Sequence, residues 1–237
     1  MSENAYERGT ISLFYSWCVA MKKNIVVLIS GRGSNFKSVY EASVRENWAE
    51  KYGLYISGVI SNRADAKGLE YAASVGIPSK VVDHKGYESR GAFEKDLADA
   101  CDEFGADLIV LAGFMRVLTP YFVDRFSGRI LNIHPALLPL FTGLHTHERA
   151  LQAGVRVHGV TVHFVSAELD GGPIVGQAAV PVLANDTPEI LAARVLVQEH
   201  VLYPRAVRLV ASGRVKLDGN KVLMDEEASR ELAILAQ

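Results

Sequence analysis

The sequence predicts a doubly wound α/β fold, with a mostly parallel central sheet and antiparallel strands added in the carboxy-terminal half. Its first half alternates short apolar runs with stretches of helical pattern, which is typical of βαβ units. Residues 24–29 form an apolar run, as a parallel strand covered on both faces requires. Residues 157–165 and 173–182 are β-rich runs joined by a glycine-containing loop, which indicates an antiparallel pair.

The individual elements follow from apolar runs, turn residues and capping signals. Strands are predicted at 24–29, 55–60, 80–82, 107–111, 130–134, 157–165 and 173–182, and helices at 36–49, 67–74, 89–104 and 187–212. The last helix has Thr187 at its cap, Pro188 in its first turn and Glu189 near the positive end of its dipole. Since no repeat or linker interrupts the chain, we expect one domain over residues 22–217, followed by a tail at 218–237 without clear chemistry.

Composition narrows the class of protein. The chain has 237 residues, 49% hydrophobic and 22% charged, with a formal charge of -2, so it lacks the basic footprint of a nucleic-acid binder. Cys18 and Cys101 are too few for a disulfide framework, which favours a reducing, cytoplasmic setting. Residues 11–20 are too short and too polar to span a membrane. We expect residues 1–21 to be a flexible extension, or a misassigned start with Met21 as the genuine one.

The segment Asn132-Ile133-His134-Pro135-Ala136 is the strongest candidate for chemistry. Positions two apart on a strand face the same way, so Asn132 and His134 project together from the carboxyl end of a strand that Pro135 terminates. Ligands of open α/β sheets bind at that edge. Asparagine can hold an oxyanion, histidine can carry a proton near neutral pH, and Asp170, before Gly171-Gly172, can favour the charged imidazole. A strand-end histidine that only caps backbone groups fits the pattern equally well.

The first strand is followed by a glycine-rich loop, residues 30–35, that is not a dinucleotide fingerprint. Phe36 stands where the third glycine should be, and the lysine of a P-loop is missing. Gly33, Ser34 and Asn35 at a helix N-terminus suit a single phosphate group. The alternative is an ordinary helix cap formed by Ser34 or Asn35.

Two further regions have competing interpretations. The apolar loop 112–120 follows a strand and could line a pocket for a flat heterocycle, or simply pack against the core. His145, His147, His158 and His163 invite a metal site, but no carboxylate or cysteine completes a recognised ligand spacing. We therefore expect hydrogen-bonding histidines and no metal.

Taken together, these motifs resemble the glycinamide ribonucleotide formyltransferases, folate-dependent enzymes of purine synthesis. The similar stretches are 29–35, 111–118, 131–139, 143–147, 168–173 and 198–200, in unbroken order within residues 22–217. Leu140 and Thr142 depart from the pattern, in which a proline commonly precedes the glycine that matches Gly143.

The resemblance implies a Rossmann-like formyltransferase fold and a role for each matching position. Gly33, Ser34 and Asn35 would bind the phosphate of the ribonucleotide and Glu199 its ribose. The co-substrate 10-formyltetrahydrofolate would contact a set of residues drawn from several loops: Arg90, Met115, Arg116, Val117, Leu118, Asn132 and Glu168. Asn132, His134 and Asp170 would be catalytic. The resemblance further implies small-molecule substrates, a reaction that uses neither a metal nor ATP, and a protein that is a monomer or a weak homodimer.

The implied reaction is direct attack of the substrate amine on the formyl carbon, through a tetrahedral intermediate. Two related activities remain open. Formyltetrahydrofolate deformylases normally carry an amino-terminal regulatory domain, and methionyl-tRNA formyltransferases a carboxy-terminal RNA-binding domain; we expect neither here. A non-enzymatic ligand-binding α/β module would need no proton carrier at His134.

Overall fold

The computed structural model describes residues 22–236. The extension expected at residues 1–21 therefore lies outside the described residues, as does Gln237. The strands are β1 (Lys23–Ile29), β2 (Leu54–Ser61), β3 (Ser79–Val81), β4 (Leu108–Leu111), β5 (Ile130–His134), β6 (Val157–Phe164), β7 (Ile174–Pro181), β8 (Val215–Asp218), β9 (Lys221–Met224) and β10 (Ala233–Leu235). The α-helices are α1 (Ser34–Arg45), α2 (Trp48–Tyr52), α3 (Lys67–Ser74), α4 (Arg90–Glu103), α5 (Pro120–Arg125), α6 (Thr146–Gln152), α7 (Pro188–Ala211) and α8 (Glu226–Leu232), with a 3₁₀ turn at His84–Gly86.

Eight strands form one sheet in the order β10-β7-β6-β5-β4-β1-β2-β3. Strands β3, β2, β1, β4 and β5 are parallel, and β6 is antiparallel to both β5 and β7. The predicted fold class is confirmed. The chain reverses its direction of travel across the sheet between β1 and β4, so the loops after these strands flank a topological switch point, where such sheets bind ligands.

Strand β1 shows why the sheet is covered on both faces. Its residues from Ile25 to Ile29 have no exposed surface. Ile25, Val27 and Ile29 belong to one core cluster, with α1 and α7, whereas Val26 and Leu28 belong to the other, with α4 and α5. Because each fully buried aliphatic side chain contributes about 1.5–3 kcal/mol, this strand anchors both layers.

Helix α7 connects the core to the edge of the sheet where the candidate site lies. Its Tyr203 is fully buried, and the hydroxyl lies 2.9 Å from the Leu111 carbonyl and 3.1 Å from that of Leu131. These carbonyls belong to the neighbouring strands β4 and β5. Tyr203 thus fixes the spacing of the two strands that lead into the loop at 112–120 and the segment at 132–136.

The structure differs from the prediction in three places. The helix expected at 36–49 is two helices, because Asn47 adopts a left-handed conformation (φ 56°) between α1 and α2. Helices α5 and α6 were not predicted, because they have only 6 and 7 residues, too few to show the apolar periodicity that identifies a helix. The residues after 217 complete a β8–β9 hairpin, form α8 and add β10 to the edge of the main sheet. Among the described helices, none combines the length and apolarity needed to cross a bilayer.

Candidate active site

Asn132 and His134 lie at the carboxyl end of β5, where the period of the strand places them on one side. His134 is buried, and its ring is held at both nitrogens. Nδ1 lies 3.4 Å from Oδ2 of Asp170, and Nε2 lies 2.9 Å from the Phe141 carbonyl oxygen. The sequence placed Asn132, His134 and Asp170 in one site, and in the structure the carboxylate does face the imidazole.

The loop between β6 and β7 brings Asp170 to this position. Asp170 has φ 53°, and its Oδ2 accepts a 2.8 Å hydrogen bond from the Gly143 N–H, so it also holds the facing loop. A Cβ atom on Gly172 would lie 1.8 Å from the Phe164 carbonyl oxygen. Only glycine fits there, which explains why a glycine pair follows the aspartate.

His163, expected from the sequence only to be a hydrogen-bonding histidine, lies beside Asn132 and Asp170. It pairs directly with Asn132 across the β5–β6 ladder, with Asn132 Nδ2 3.2 Å from its Nε2, which lies 3.9 Å from Asp170 Oδ1. Burial lowers the pKa of His163 below its ordinary value. The alternation of Thr161 and His163 on β6 could have indicated this position, once the register against β5 was known.

The candidate phosphate loop lies after β1. Gly33 occupies the N-cap position of α1 in a left-handed conformation (φ 73°), and no side chain caps the helix. The cap is therefore neither Ser34 nor Asn35, the alternative considered from sequence. A Cβ on Gly33 would lie 2.8 Å from the Cα of Gly68 at the start of α3. Glycine at this position therefore lets the loop backbone pass close to Gly68 at the N-terminus of α1.

Asn35 and Glu199 meet although 164 residues separate them. The Asn35 amide donates a 2.7 Å hydrogen bond to Glu199 Oε2, and both side chains are buried. Burial raises the pKa of Glu199 above its ordinary value, although the hydrogen bond from Asn35 acts in the opposite direction. The predicted phosphate loop and the predicted ribose contact are thus in direct contact.

The candidate cofactor loop, at 112–120, follows β4, and part of it packs against the core. Met115 and Val117 are exposed, whereas the side chain of Leu118 is buried in the core, so Leu118 presents only its backbone to this edge. The Arg116 guanidinium lies 5.7 Å from the Phe93 ring centroid. Arg90 begins α4 and is exposed.

Glu168, the remaining predicted cofactor contact, is also exposed. Its carbonyl accepts a 3.2 Å hydrogen bond from the Gly171 N–H in the turn that carries Asp170. Glu168 therefore lies in the same turn as Asp170, in the loop between β6 and β7.

Two other histidines pack behind His134. The rings of His147 and His158 lie 5.3 Å apart, and Phe141 packs against His158 at 5.9 Å. Burial, with the neighbouring His147, lowers the pKa of His158 to about 4. Within residues 22–236, no three His, Cys, Asp or Glu side chains are arranged to hold a metal ion. That no metal is used stays a prediction.

Comparison with known proteins places this site in a family. The family model described as formyl transferase matches residues 23–207. Phosphoribosylglycinamide formyltransferase of Escherichia coli (strain K12) is 46% identical over 202 residues, covering 85% of this chain and 93% of that protein. The trifunctional purine biosynthetic protein adenosine-3 of Homo sapiens is 44% identical over 199 residues, covering 84% of this chain and 19% of that longer protein.

Comparison with solved structures leads to the same family. Glycinamide ribonucleotide transformylase 1 of Symbiobacterium toebii has a TM-score of 0.81 at 46% identity, covering 86% of this chain and 95% of that one. A formyltetrahydrofolate deformylase of Pseudomonas syringae has a TM-score of 0.77 at 26% identity, covering 87% and 67%. The chain therefore belongs to the formyl transferase family.

Proposed function

We propose that the chain is a phosphoribosylglycinamide formyltransferase, which transfers the formyl group of 10-formyltetrahydrofolate to the amine of N1-(5-phospho-D-ribosyl)glycinamide in purine biosynthesis. The observation that carries this proposal is the 46% identity to the Escherichia coli enzyme of that name over 93% of its length. The paired His134 and Asp170 at the end of β5 support it, because a formyl transfer needs a proton carrier there.

The ribonucleotide binds along the surface formed by the phosphate loop and Glu199. The N-terminus of α1 offers backbone N–H groups and the positive end of a helix dipole to the phosphate. Ser34 adds a hydroxyl, and Glu199 accepts hydrogen bonds from the ribose. This arrangement directs the glycinamide amine towards the end of β5.

The folate binds across the switch point from the ribonucleotide. Met115 and Val117 supply exposed apolar surface, and the backbone from Met115 to Leu118 reads the edge of the pteridine. Arg90 and Arg116 carry positive charge at this side and meet the anionic end of the folate. Asn132 and Glu168 complete the contacts on the catalytic side.

Catalysis combines an oxyanion donor with a proton carrier. The amine nitrogen forms a bond to the formyl carbon, and the carbonyl electron pair moves to oxygen. Asn132 donates an N–H to that oxyanion. As the electron pair of the oxyanion returns to re-form the carbonyl, the bond between carbon and the folate nitrogen breaks, and His134, as imidazolium, gives a proton to that nitrogen. The attacking nitrogen passes its own proton to the neutral His134 ring, which restores the imidazolium. Asp170 faces Nδ1 and stabilises the charged ring.

The formyl donor is already activated, so the reaction uses neither ATP nor a metal. The protein acts in the cytoplasm on small molecules, without nucleic acid or membrane, as a monomer or weak homodimer. The residues to which we assign binding and catalysis all lie within 22–217, the expected catalytic domain, and α8 and β10 extend the same fold beyond it.

A deformylase is the second candidate, because such an enzyme shares the fold at 26% identity. The test is to supply purified protein with 10-formyltetrahydrofolate, with and without the ribonucleotide, and to follow tetrahydrofolate and formate. A transferase releases tetrahydrofolate only when the ribonucleotide is present. Formate release at an equal rate without the ribonucleotide would instead identify a hydrolase.

A further inference from the structure

Ser30 connects the phosphate loop to the cofactor loop. It directly follows β1 and is 7% exposed. Its Oγ accepts a 2.8 Å hydrogen bond from the backbone N–H of Met115. Ser30, at the start of the phosphate loop, therefore holds Met115, the first proposed folate contact in the loop after β4.

The Ser30 hydroxyl is itself oriented by a buried partner. It donates a 2.6 Å hydrogen bond to Oδ1 of Asn62, which follows β2 and is 3% exposed. The carbonyl of Asn62 lies 2.9 Å from Nδ1 of His84 in the turn after β3. Because the hydroxyl proton is committed to Asn62, the Ser30 oxygen is left to accept from Met115.

The other end of the cofactor loop is held in a similar way. Glu94 of α4 is 1% exposed, and its carboxylate accepts the Thr119 N–H at 2.9 and 3.2 Å, together with the Thr119 hydroxyl. Met115, at the first anchor, and Val117, between the two anchors, have exposed side chains. The span from Met115 to Thr119 is thus fixed at both ends by buried polar groups, Ser30 and Glu94.

We propose that Ser30 is a positioning residue for the folate, which sets the cofactor loop against the phosphate loop so that the formyl carbon meets the amine. This role rests on the function proposed above. The phosphate loop does not depend on the Ser30 hydroxyl, because the Gly68 N–H donates to the Gly31 carbonyl at 3.0 Å and Asn35 donates to Glu199 at 2.7 Å. Removing the hydroxyl should therefore weaken folate binding and spare the ribonucleotide.

The experiment compares Ser30→Ala with the wild-type protein by calorimetry, using tetrahydrofolate and the ribonucleotide as separate ligands. Leaving the Met115 N–H without its acceptor should raise the Kd for tetrahydrofolate about 5- to 50-fold. The Kd for the ribonucleotide should change less than about twofold. Ser57→Ala is the matched control, since the half-buried Ser57 hydroxyl donates a 2.8 Å hydrogen bond to the Phe104 carbonyl, and both Kd values should stay at wild-type levels.

A second variant tests the direction of the network. Asn62→Ala removes the group that accepts the Ser30 hydroxyl proton but leaves Ser30 Oγ to accept from the Met115 N–H. It should therefore weaken tetrahydrofolate binding less than Ser30→Ala does. Unchanged folate affinity in Ser30→Ala, or an equal loss for both ligands, would overturn the role of Ser30 alone. Wild-type protein that binds neither ligand would overturn the proposed function, and this role with it.

Discussion

Asn132 donates its side-chain amide to Nε2 of His163 across the β5–β6 ladder, at 3.2 Å. Nδ1 of His163 lies 2.9 Å from the Phe164 carbonyl, which can only accept, so that nitrogen carries the ring proton. Nε2 of the neutral ring must then accept, and the Asn132 amide nitrogen is turned towards it. The second N–H of the same amide remains to donate to an oxyanion. In the proposed mechanism, His163 therefore determines which end of the Asn132 side chain faces the oxyanion.

His134→Ala should reduce formyl transfer by about 100- to 10,000-fold, because general acid–base catalysis typically contributes that factor. The fold and the ribonucleotide affinity should be retained. His145→Ala is the control, since its side chain is 75% exposed. Steady-state kinetics at saturating substrates measures the loss. A folded His134→Ala variant with near wild-type turnover would remove His134 from the mechanism.

Asp170→Asn should lower kcat about 10- to 1,000-fold. The carboxylate 3.4 Å from His134 Nδ1 stabilises the imidazolium, and an amide of the same size does not. Steady-state kinetics at saturating substrates measures the loss, with circular dichroism as the check that the variant is folded. If Asp170 only supports the loop through the Gly143 N–H, the asparagine side-chain oxygen should accept the same hydrogen bond and turnover should stay near wild type.

Gly33→Ala should weaken ribonucleotide binding more than tenfold with little effect on tetrahydrofolate. The new Cβ would lie 2.8 Å from Gly68 Cα, and φ 73° is strained for alanine. Gly76→Ala is the matched control, because Gly76 has φ 71° but nothing within 4 Å of the added atom. Both variants lose the stability that a left-handed alanine costs, about 1–2 kcal/mol. Calorimetry with each ligand measures the two affinities in both variants. A Gly33→Ala variant that keeps its ribonucleotide affinity and loses its tetrahydrofolate affinity would assign this loop to the folate.

His158 should make the folded state less stable in mild acid. Its pKa in the folded protein is about 4, below the ordinary 6.5, because the ring is buried beside His147. The unfolded chain therefore binds more protons between these values, and the free energy of unfolding falls as the pH drops from about 6.5 to about 4. His158→Leu should flatten that dependence. Urea unfolding at pH 7 and pH 5 provides the measurement, and parallel losses in both proteins would contradict the assignment.

The sequence predicted those parts of the fold that local patterns determine. The apolar runs located β1, β2, β4 and β5, and the helix expected at 67–74 has the same bounds as α3. The break at Asn47 was not predicted, because a left-handed residue between two helical stretches leaves their apolar pattern almost unchanged. The edge strand β10 is three residues long and is defined by its pairing with β7, which the sequence does not display.

The candidate site was predictable to a similar degree. Spacing along β5 placed Asn132 and His134 on one side, and the resemblance supplied Glu199, whose contact with Asn35 joins distant segments. The contacts of His163, Ser30 and Glu94 were missed, because their partners are backbone or amide groups brought close only by the packing of loops and neighbouring strands. The roles assigned to the predicted ligand contacts stay predictions.

The most direct test of the central claim follows the formyl group itself. Purified protein is given 10-formyltetrahydrofolate labelled with ¹³C in the formyl carbon, together with the ribonucleotide, and the label is followed by NMR. The account predicts that the label moves to the amide of the formylated ribonucleotide in a one-to-one ratio with tetrahydrofolate released, and that His134→Ala nearly stops this transfer. Label that appears as free formate, at a rate independent of the ribonucleotide, would contradict the account.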